Sequence, residues 1–78
     1  MKYRIKKITY KDGEVLYFAQ YYKNWFSGWK GIDKDGDKYH FIEDAWEFKS
    51  KEEALKAIGL TDKGKRRGIT VEFENITK

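Results

Sequence analysis

The stretch that decides the fold is Lys11-Asp12-Gly13-Glu14 followed by Val15-Leu16-Tyr17-Phe18-Ala19-Gln20-Tyr21-Tyr22. Asp-Gly favours positive φ at both central positions of a turn, which suits a two-residue type I′ hairpin. Residues 2–10, before the turn, are rich in Tyr, Ile and Thr, and residues 14–22 in Val, Leu, Tyr and Phe, so both flanks read as strands. In the second strand Val15, Tyr17, Ala19 and Tyr21 line one face. Leu16, Phe18, Gln20 and Tyr22 line the other. Both faces are largely apolar, so both call for cover. One short helix covers one face of a small sheet. The second face is closed by sheet curvature, by segment 25–29, or by another molecule.

Outward from this strand, Asp35-Gly36 separates residues 29–33 from 38–42 and predicts a second hairpin. Trp46 and Phe48 share a face at spacing two, which suggests a short strand, and Glu43-Asp44 marks a turn or bulge before it. Ser50 is placed to N-cap a helix with Glu53 as its capping-box partner, and Glu52 and Glu53 suit the positive end of the helix dipole. Ala54, Leu55, Ala57 and Ile58 form its apolar stripe. Gly59 is placed as a left-handed C′ residue with Leu60 folding back. The helix is predicted over about 51–58 and is too short to stand undocked. A polar loop, 61–68, follows. In the last strand, 69–76, Ile69, Val71 and Phe73 alternate with Thr70, Glu72 and Glu74. The glutamates are suited to lie beside the lysines of residues 2–7, a pairing that the sequence alone does not fix. The fold class is α+β: one domain over 1–78, a small antiparallel sheet of four to five strands, and one short α-helix before the last strand.

Composition bounds what such a fold can be. The chain has 78 residues, no Cys and no Pro, and 18% of it is aromatic. That aromatic load excludes a disordered tail. Without cysteine there is no disulfide framework and no thiolate metal site. No apolar run approaches the ~20 residues of a membrane span, and no signal-peptide-like segment follows Met1, so the chain reads as cytoplasmic with no membrane partner. Charge is uneven. Residues 1–30 carry seven basic and two acidic side chains, residues 31–60 five and eight, and residues 61–78 five and three.

Half of the 14 aromatic residues fall within 17–29: Tyr17, Phe18, Tyr21, Tyr22, Trp25, Phe26 and Trp29. A core without disulfides uses large side chains to bury area, which explains part of this cluster. Tyr21, Tyr22, Trp25, Phe26 and Trp29 exceed what one small helix covers, whereas Tyr3, Tyr17, Phe18, Phe41, Phe48 and Phe73 suit core positions. The predicted contact surface is Tyr21, Tyr22, Lys23, Trp25, Phe26, Trp29 and Lys30. Aromatic residues flanked by cations serve protein hot spots and also stack the bases of single-stranded nucleic acid. Lys63, Lys65, Arg66 and Arg67, in a glycine-flanked loop, would supply phosphate contacts in the second case. That loop is not a P-loop, because its Gly-Lys has neither the upstream glycine spacing nor a following Ser or Thr.

Catalytic and metal chemistry find little to work with. His40 is the only histidine, and Glu43, Asp44 and Glu47 form no nucleophile–base–orienter set. Asp33, Asp35 and Asp37 resemble the start of an EF-hand loop, but Lys38 stands at the sixth position and Asp44 at the twelfth. No cofactor and no metal are expected.

Tyr3-Arg4-Ile5-Lys6-Lys7-Ile8-Thr9-Tyr10, Asp12-Gly13, the Trp/Phe-rich segment and Phe48-Lys49-Ser50-Lys51-Glu52-Glu53-Ala54 together resemble small phage and prophage accessory proteins. The resemblance spans residues 1–60. It implies a hairpin, a further strand, a short helix and a final strand. Some such proteins act by binding a host enzyme or defence complex. The expected function is therefore a non-enzymatic interaction module whose partner is a protein, a second copy of the chain included. The alternative is single-stranded nucleic acid binding through the same aromatic cluster and the basic loop.

Overall fold

The hairpin around Gly13 sits at the centre of the sheet in the computed structural model, which describes residues 2–61 and 71–77. It joins β1 (Lys2–Thr9) to β2 (Val15–Tyr22) in antiparallel register, from Lys2 opposite Tyr22 to Thr9 opposite Val15. The turn differs from the expected type I′. Gly13 has φ 94°, but Asp12 does not adopt positive φ. The Asp12 carboxylate instead accepts the Glu14 N–H at 2.9 Å. Gly13 N–H donates to the Tyr10 carbonyl at 3.0 Å and Tyr10 N–H to the Glu14 carbonyl at 2.8 Å. The result is a three-residue loop with a glycine bulge.

β3 (Trp29–Ile32) pairs antiparallel with the far edge of β2. The second Asp-Gly repeats the turn geometry, with Gly36 N–H bonded to the Asp33 carbonyl at 3.1 Å. The expected return strand over 38–42 shrinks to a single bridge, Ile32 to Lys38. Gly31 explains why. Its carbonyl accepts the Tyr39 N–H at 3.0 Å and its N–H donates to the Ile42 carbonyl at 2.7 Å. One residue of β3 thus holds both ends of 39–42, and the chain between them bulges out of the ladder.

The chain then crosses the sheet and meets β2 at Phe48, which exchanges backbone bonds with Tyr17 at 2.9 and 2.8 Å. The helix α1 (Lys51–Gly59) starts as its cap chemistry requires: Ser50 Oγ accepts the Glu53 N–H at 3.2 Å. Glu53 Oε2 reaches back to the Lys49 N–H at 3.2 Å, one residue upstream of a standard capping box. Ala54, Ala57 and Ile58 are buried. Leu55 is not: it lies on the outward face of the helix, 39% exposed. Gly59 is the last helical residue rather than a left-handed cap, since only Gly13, Gly28 and Gly36 have positive φ among the described residues. The helix ends by tightening, with Leu60 N–H bonded to the Ala57 carbonyl and Thr61 N–H to the Ile58 carbonyl, both at 3.1 Å.

β4 (Val71–Thr77) completes a four-stranded sheet in the order β3-β2-β1-β4. It runs parallel to β1, so the sheet is mixed and not antiparallel throughout. The path of α1 accounts for this. The helix starts close to Phe48, beside Tyr17, and ends at Thr61, whose hydroxyl lies 3.3 Å from that of Tyr3. The chain is thereby returned to the start of β1, and β4 sets out beside Tyr3 in the same direction. Ile69 and Thr70 of the expected strand, and most of the expected loop 61–68, lie outside the described residues. The glutamates do meet the basic residues of β1: Arg4 pairs in register with Glu72 and Lys6 with Glu74.

Two clusters hold the sheet. On the helix face Tyr3, Ile5, Ala19, Tyr21, Ile32 and Phe48 pack with the buried residues of α1. On the opposite face Ile8, Leu16 and Phe18 gather Tyr10 and Ile76. Both faces of β2 are therefore covered, as its sequence demands. The second face is partly closed by segment 43–45, which lies over Gly31. A Cβ on Gly31 would stand 2.5 Å from Ala45 Cβ and 2.7 Å from the Ala45 nitrogen. Gly31→Ala is expected to destabilise the domain by about 1–3 kcal/mol through overpacking, read as a lower midpoint in urea unfolding.

Candidate functional site

The connection between β2 and β3 spans residues 23–28 and is closed by Asn24. The Asn24 side-chain oxygen accepts the Ser27 N–H at 2.9 Å, and its carbonyl accepts the Gly28 N–H at 3.0 Å. Gly28 has φ 65°, a conformation that a side chain disfavours, and it returns the chain to Trp29. Asn at the first position of such a turn mimics a backbone bond. The turn leaves Trp25 and Phe26 with no sheet or helix to lie against. They stack on each other instead, ring centroids 4.0 Å apart at 26°. Trp25 is 75% exposed and Phe26 81%.

The other expected contact residues divide. Tyr21 belongs to the core, not to a surface: it is fully buried, and its hydroxyl donates to the Tyr39 carbonyl at 2.9 Å. The Tyr21 hydroxyl is also 3.2 Å from His40 Nδ1. Tyr22 and Trp29 are half-buried on the face opposite the helix, their rings 5.4 Å apart. The Arg4 guanidinium lies 4.2 Å from the Trp29 ring centroid, so this face of the indole is already taken by a cation. Lys23 is exposed and Lys30 half-buried at the same end of the sheet. Lys63, Lys65, Arg66 and Arg67 lie outside the described residues. Of the expected core aromatics, Phe41 is 91% exposed and Phe73 41%. Phe41 falls in the bulge that Gly31 creates. Phe73 lies on the edge strand, where Lys51 Nζ sits 4.6 Å from its ring centroid.

On the face opposite the helix runs a charge network of which the sequence suggests only the glutamates of β4. Arg4 Nη1 pairs with Glu74 at 2.6 Å and Nη2 with Glu43 at 3.0 Å. Lys6, nearly buried, pairs with Asp44 at 3.1 Å and stands 3.7 Å from Glu43. Gln20, fully buried between them, donates to Asp44 Oδ1 at 2.9 Å and to the Glu43 carbonyl at 3.1 Å. A buried cation without partners is strongly unfavourable, so Arg4 and Lys6 dictate that acidic residues cross this face. The signal was present: Arg4, Lys6 and Gln20 share one face of the predicted hairpin, and Glu43-Asp44 breaks an apolar run. Segment 41–47 turns its partly exposed carboxylates at 43 and 44 toward Arg4, Lys6 and Gln20, while Phe41, Ile42 and Trp46 are exposed, the last two at 52% and 41%.

The second turn carries its own electrostatics. Asp33 Oδ1 accepts the N–H groups of Asp35 at 2.9 Å and Asp37 at 3.0 Å. Carboxylate oxygens of Asp33, Asp35 and Asp37 lie within 4.8 Å of one another, making these the residues able to share a cation among those described. The Asp33 charge, with burial, a hydrogen bond from the Tyr39 hydroxyl and the charges of Asp37 and Asp35, holds the Tyr39 phenol above its usual range. Burial does the same for Tyr21. No helix among the described residues is long and apolar enough to cross a membrane. The chain matches no protein-family model, and no curated protein or solved structure is significantly similar to it.

Two expectations follow for the aromatic residues. Trp25→Ala and Phe26→Ala are expected to change stability by no more than about 0.5 kcal/mol, as for exposed positions generally. Tyr21→Ala is expected to lose roughly 3 kcal/mol or more, as for a large buried ring. Urea unfolding distinguishes them. The phenols give a pH dependence. Folding keeps Tyr21 and Tyr39 neutral above 10.0, the value at which an unperturbed tyrosine ionises. The stability that they contribute is complete below that pH and declines as pH rises through it towards their folded-state values. Unfolding measured across this alkaline range is expected to show a shallower decline in Tyr39→Phe than in the parent chain.

Proposed function

We propose that this domain is a non-catalytic interaction module that binds another protein through the Trp25/Phe26 loop. The observation that carries this reading is the pair of stacked rings, 75% and 81% exposed, on a turn fixed by Asn24 and Gly28. A stacked, pre-ordered pair loses little side-chain freedom on binding, and Trp is enriched among residues that dominate protein interfaces. Lys23 beside the loop, with Lys30 on β3, supplies the polar rim. The resemblance of residues 1–60 to phage and prophage accessory proteins is consistent with a role of this kind.

The nucleic-acid alternative is weaker for a physical reason. A single strand needs a succession of stacking surfaces along a positive track. Trp25 and Phe26 are stacked on each other, and Trp29 is covered by Arg4. Beyond them Glu43 and Asp44 cross the sheet face and would repel phosphates. The decisive comparison uses the parent chain and Trp25→Ala/Phe26→Ala, both immobilised, after circular dichroism has shown equal folding. Proteins retained by the parent and lost from the variant are the expected result, together with no retention of a short single-stranded oligonucleotide at low salt. Equal retention by both chains would remove the loop as the site. Loop-dependent retention of the oligonucleotide would replace this reading with the nucleic-acid one.

A further inference from the structure

The chain presents two apolar surfaces of opposite charge. The first is the Trp25/Phe26 loop. No Asp or Glu occurs from residue 15 to residue 32. The strand register places Lys2 opposite Tyr22 and Lys30 opposite Tyr21, so both lie at the loop's end of the sheet, on its two faces, with Lys23 in the loop itself. None of these three lysines forms an ion pair with another described residue. The second surface is segment 41–47, Phe-Ile-Glu-Asp-Ala-Trp-Glu, which contains no cation. Phe41, Ile42 and Trp46 are exposed there, with Glu47 exposed and without an ion pair among the described residues. Lys34 approaches Trp46, 5.4 Å from its ring centroid, but the exposed Asp35 and Asp37 flank that lysine in sequence. Across residues 33–47 Glu43 and Asp44 are paired with Arg4 and Lys6, which leaves Asp33, Asp35, Asp37 and Glu47 against Lys34 and Lys38.

The acidic surface is held open by the fold. Glu43 and Asp44, themselves partly exposed, are drawn toward Arg4, Lys6 and Gln20, while Phe41, Ile42 and Trp46 lie outward. The charge network and the bulge at Gly31 together set the outward apolar residues.

We propose that the occupant of the Trp25/Phe26 loop is a second copy of this chain, seated on the outward face of segment 41–47. The inference rests on the loop being a contact surface, as proposed above, and adds the identity of what it contacts. The basic, aromatic knob of one molecule meets the acidic, apolar strap of the next. Each molecule carries one of each, so every contact joins the knob of one copy to the strap of another. Two rings against three apolar side chains bury less than the ~1,200 Å² of a stable interface, so the association is reversible and depends on concentration. Charge steering makes it weaken as salt rises.

Sedimentation velocity on the purified chain tests this. The weight-average mass of the parent chain is expected to rise above 9.4 kDa with concentration. At about 1 mM, where contacts of this size are populated, the rise should be largely reversed by added salt. Trp25→Ala/Phe26→Ala and Phe41→Ser should each stay monomeric alone. Mixed in equal amounts they should form a dimer, since one keeps the strap and the other keeps the knob. A parent chain that stays monomeric at the highest concentration overturns the proposal, and so does a mixture that remains monomeric. Association lost in the loop variant but kept by Phe41→Ser also overturns it, pointing to loop-on-loop contact. The reading of the loop itself is judged separately, by the immobilised-chain comparison: loop-dependent retention of other proteins by a monomeric chain leaves that reading intact while this one fails. Phe41 is 91% exposed, so its replacement leaves the core untouched; Lys23→Glu provides a second probe, expected to lower the association at low salt.

Discussion

Strand β2 carries apolar side chains on both faces, and neither can be left in water. Everything else in the architecture answers that constraint. The helix face is met by Ala54, Ala57 and Ile58, small and branched residues that let α1 lie close over Ala19 and Tyr21. The opposite face is met in two ways. At one end Ile8, Leu16 and Phe18 cover one another with help from Tyr10 and Ile76. In the middle the cover is polar, an Arg–Lys–Gln set on the sheet meeting Glu43 and Asp44 of the crossing chain. Such a network is favourable only when every member is paired, and no buried side-chain nitrogen or oxygen lacks a partner among the described residues.

The polar cover has a consequence for the surface. A segment whose charged residues face the protein must present its apolar ones elsewhere. Ile42 and Trp46, on either side of the paired carboxylates, are exposed for this reason, and the same geometry requires glycine at position 31, where Ala45 approaches most closely. The Trp25/Phe26 loop is exposed for a different reason. Its turn is complete within itself, closed by Asn24 and Gly28, so it needs no support from the sheet. Two exposed apolar features thus arise by independent routes, one from local turn chemistry and one from long-range charge pairing.

The elements were legible where local chemistry fixes them. The first hairpin, the two-faced character of β2 and the Ser50 cap of α1 all follow from short-range patterns. The structure departs from the expectation where a side chain takes a partner that the pattern does not specify. Asp12-Gly13 suggested a type I′ turn, but the Asp12 side chain captured the Glu14 N–H and kept its own φ negative. Leu55 matched the apolar stripe, but the sheet contacts only the Ala54–Ala57–Ile58 side of the helix. Phe41 looked like a core residue, and Gly31 expelled it by holding Tyr39 and Ile42 at once. Of the residues that the sequence offers for a contact surface, Trp25 and Phe26 are exposed and Tyr21 is core, and the exposed side chains of 41–47 carry no local signal.

By itself the sequence determined the hairpin, the helix position and the α+β class, because turns, caps and strand alternation are properties of a few neighbouring residues. It also required that something cover both faces of β2. Only the tertiary structure decided what that cover is. The parallel placement of β4 depends on where α1 delivers the chain, and the inward turn of Glu43 and Asp44 depends on cations some 40 residues earlier in the chain. Both are long-range matches between groups that no local pattern connects, so they become visible only when the chain is folded.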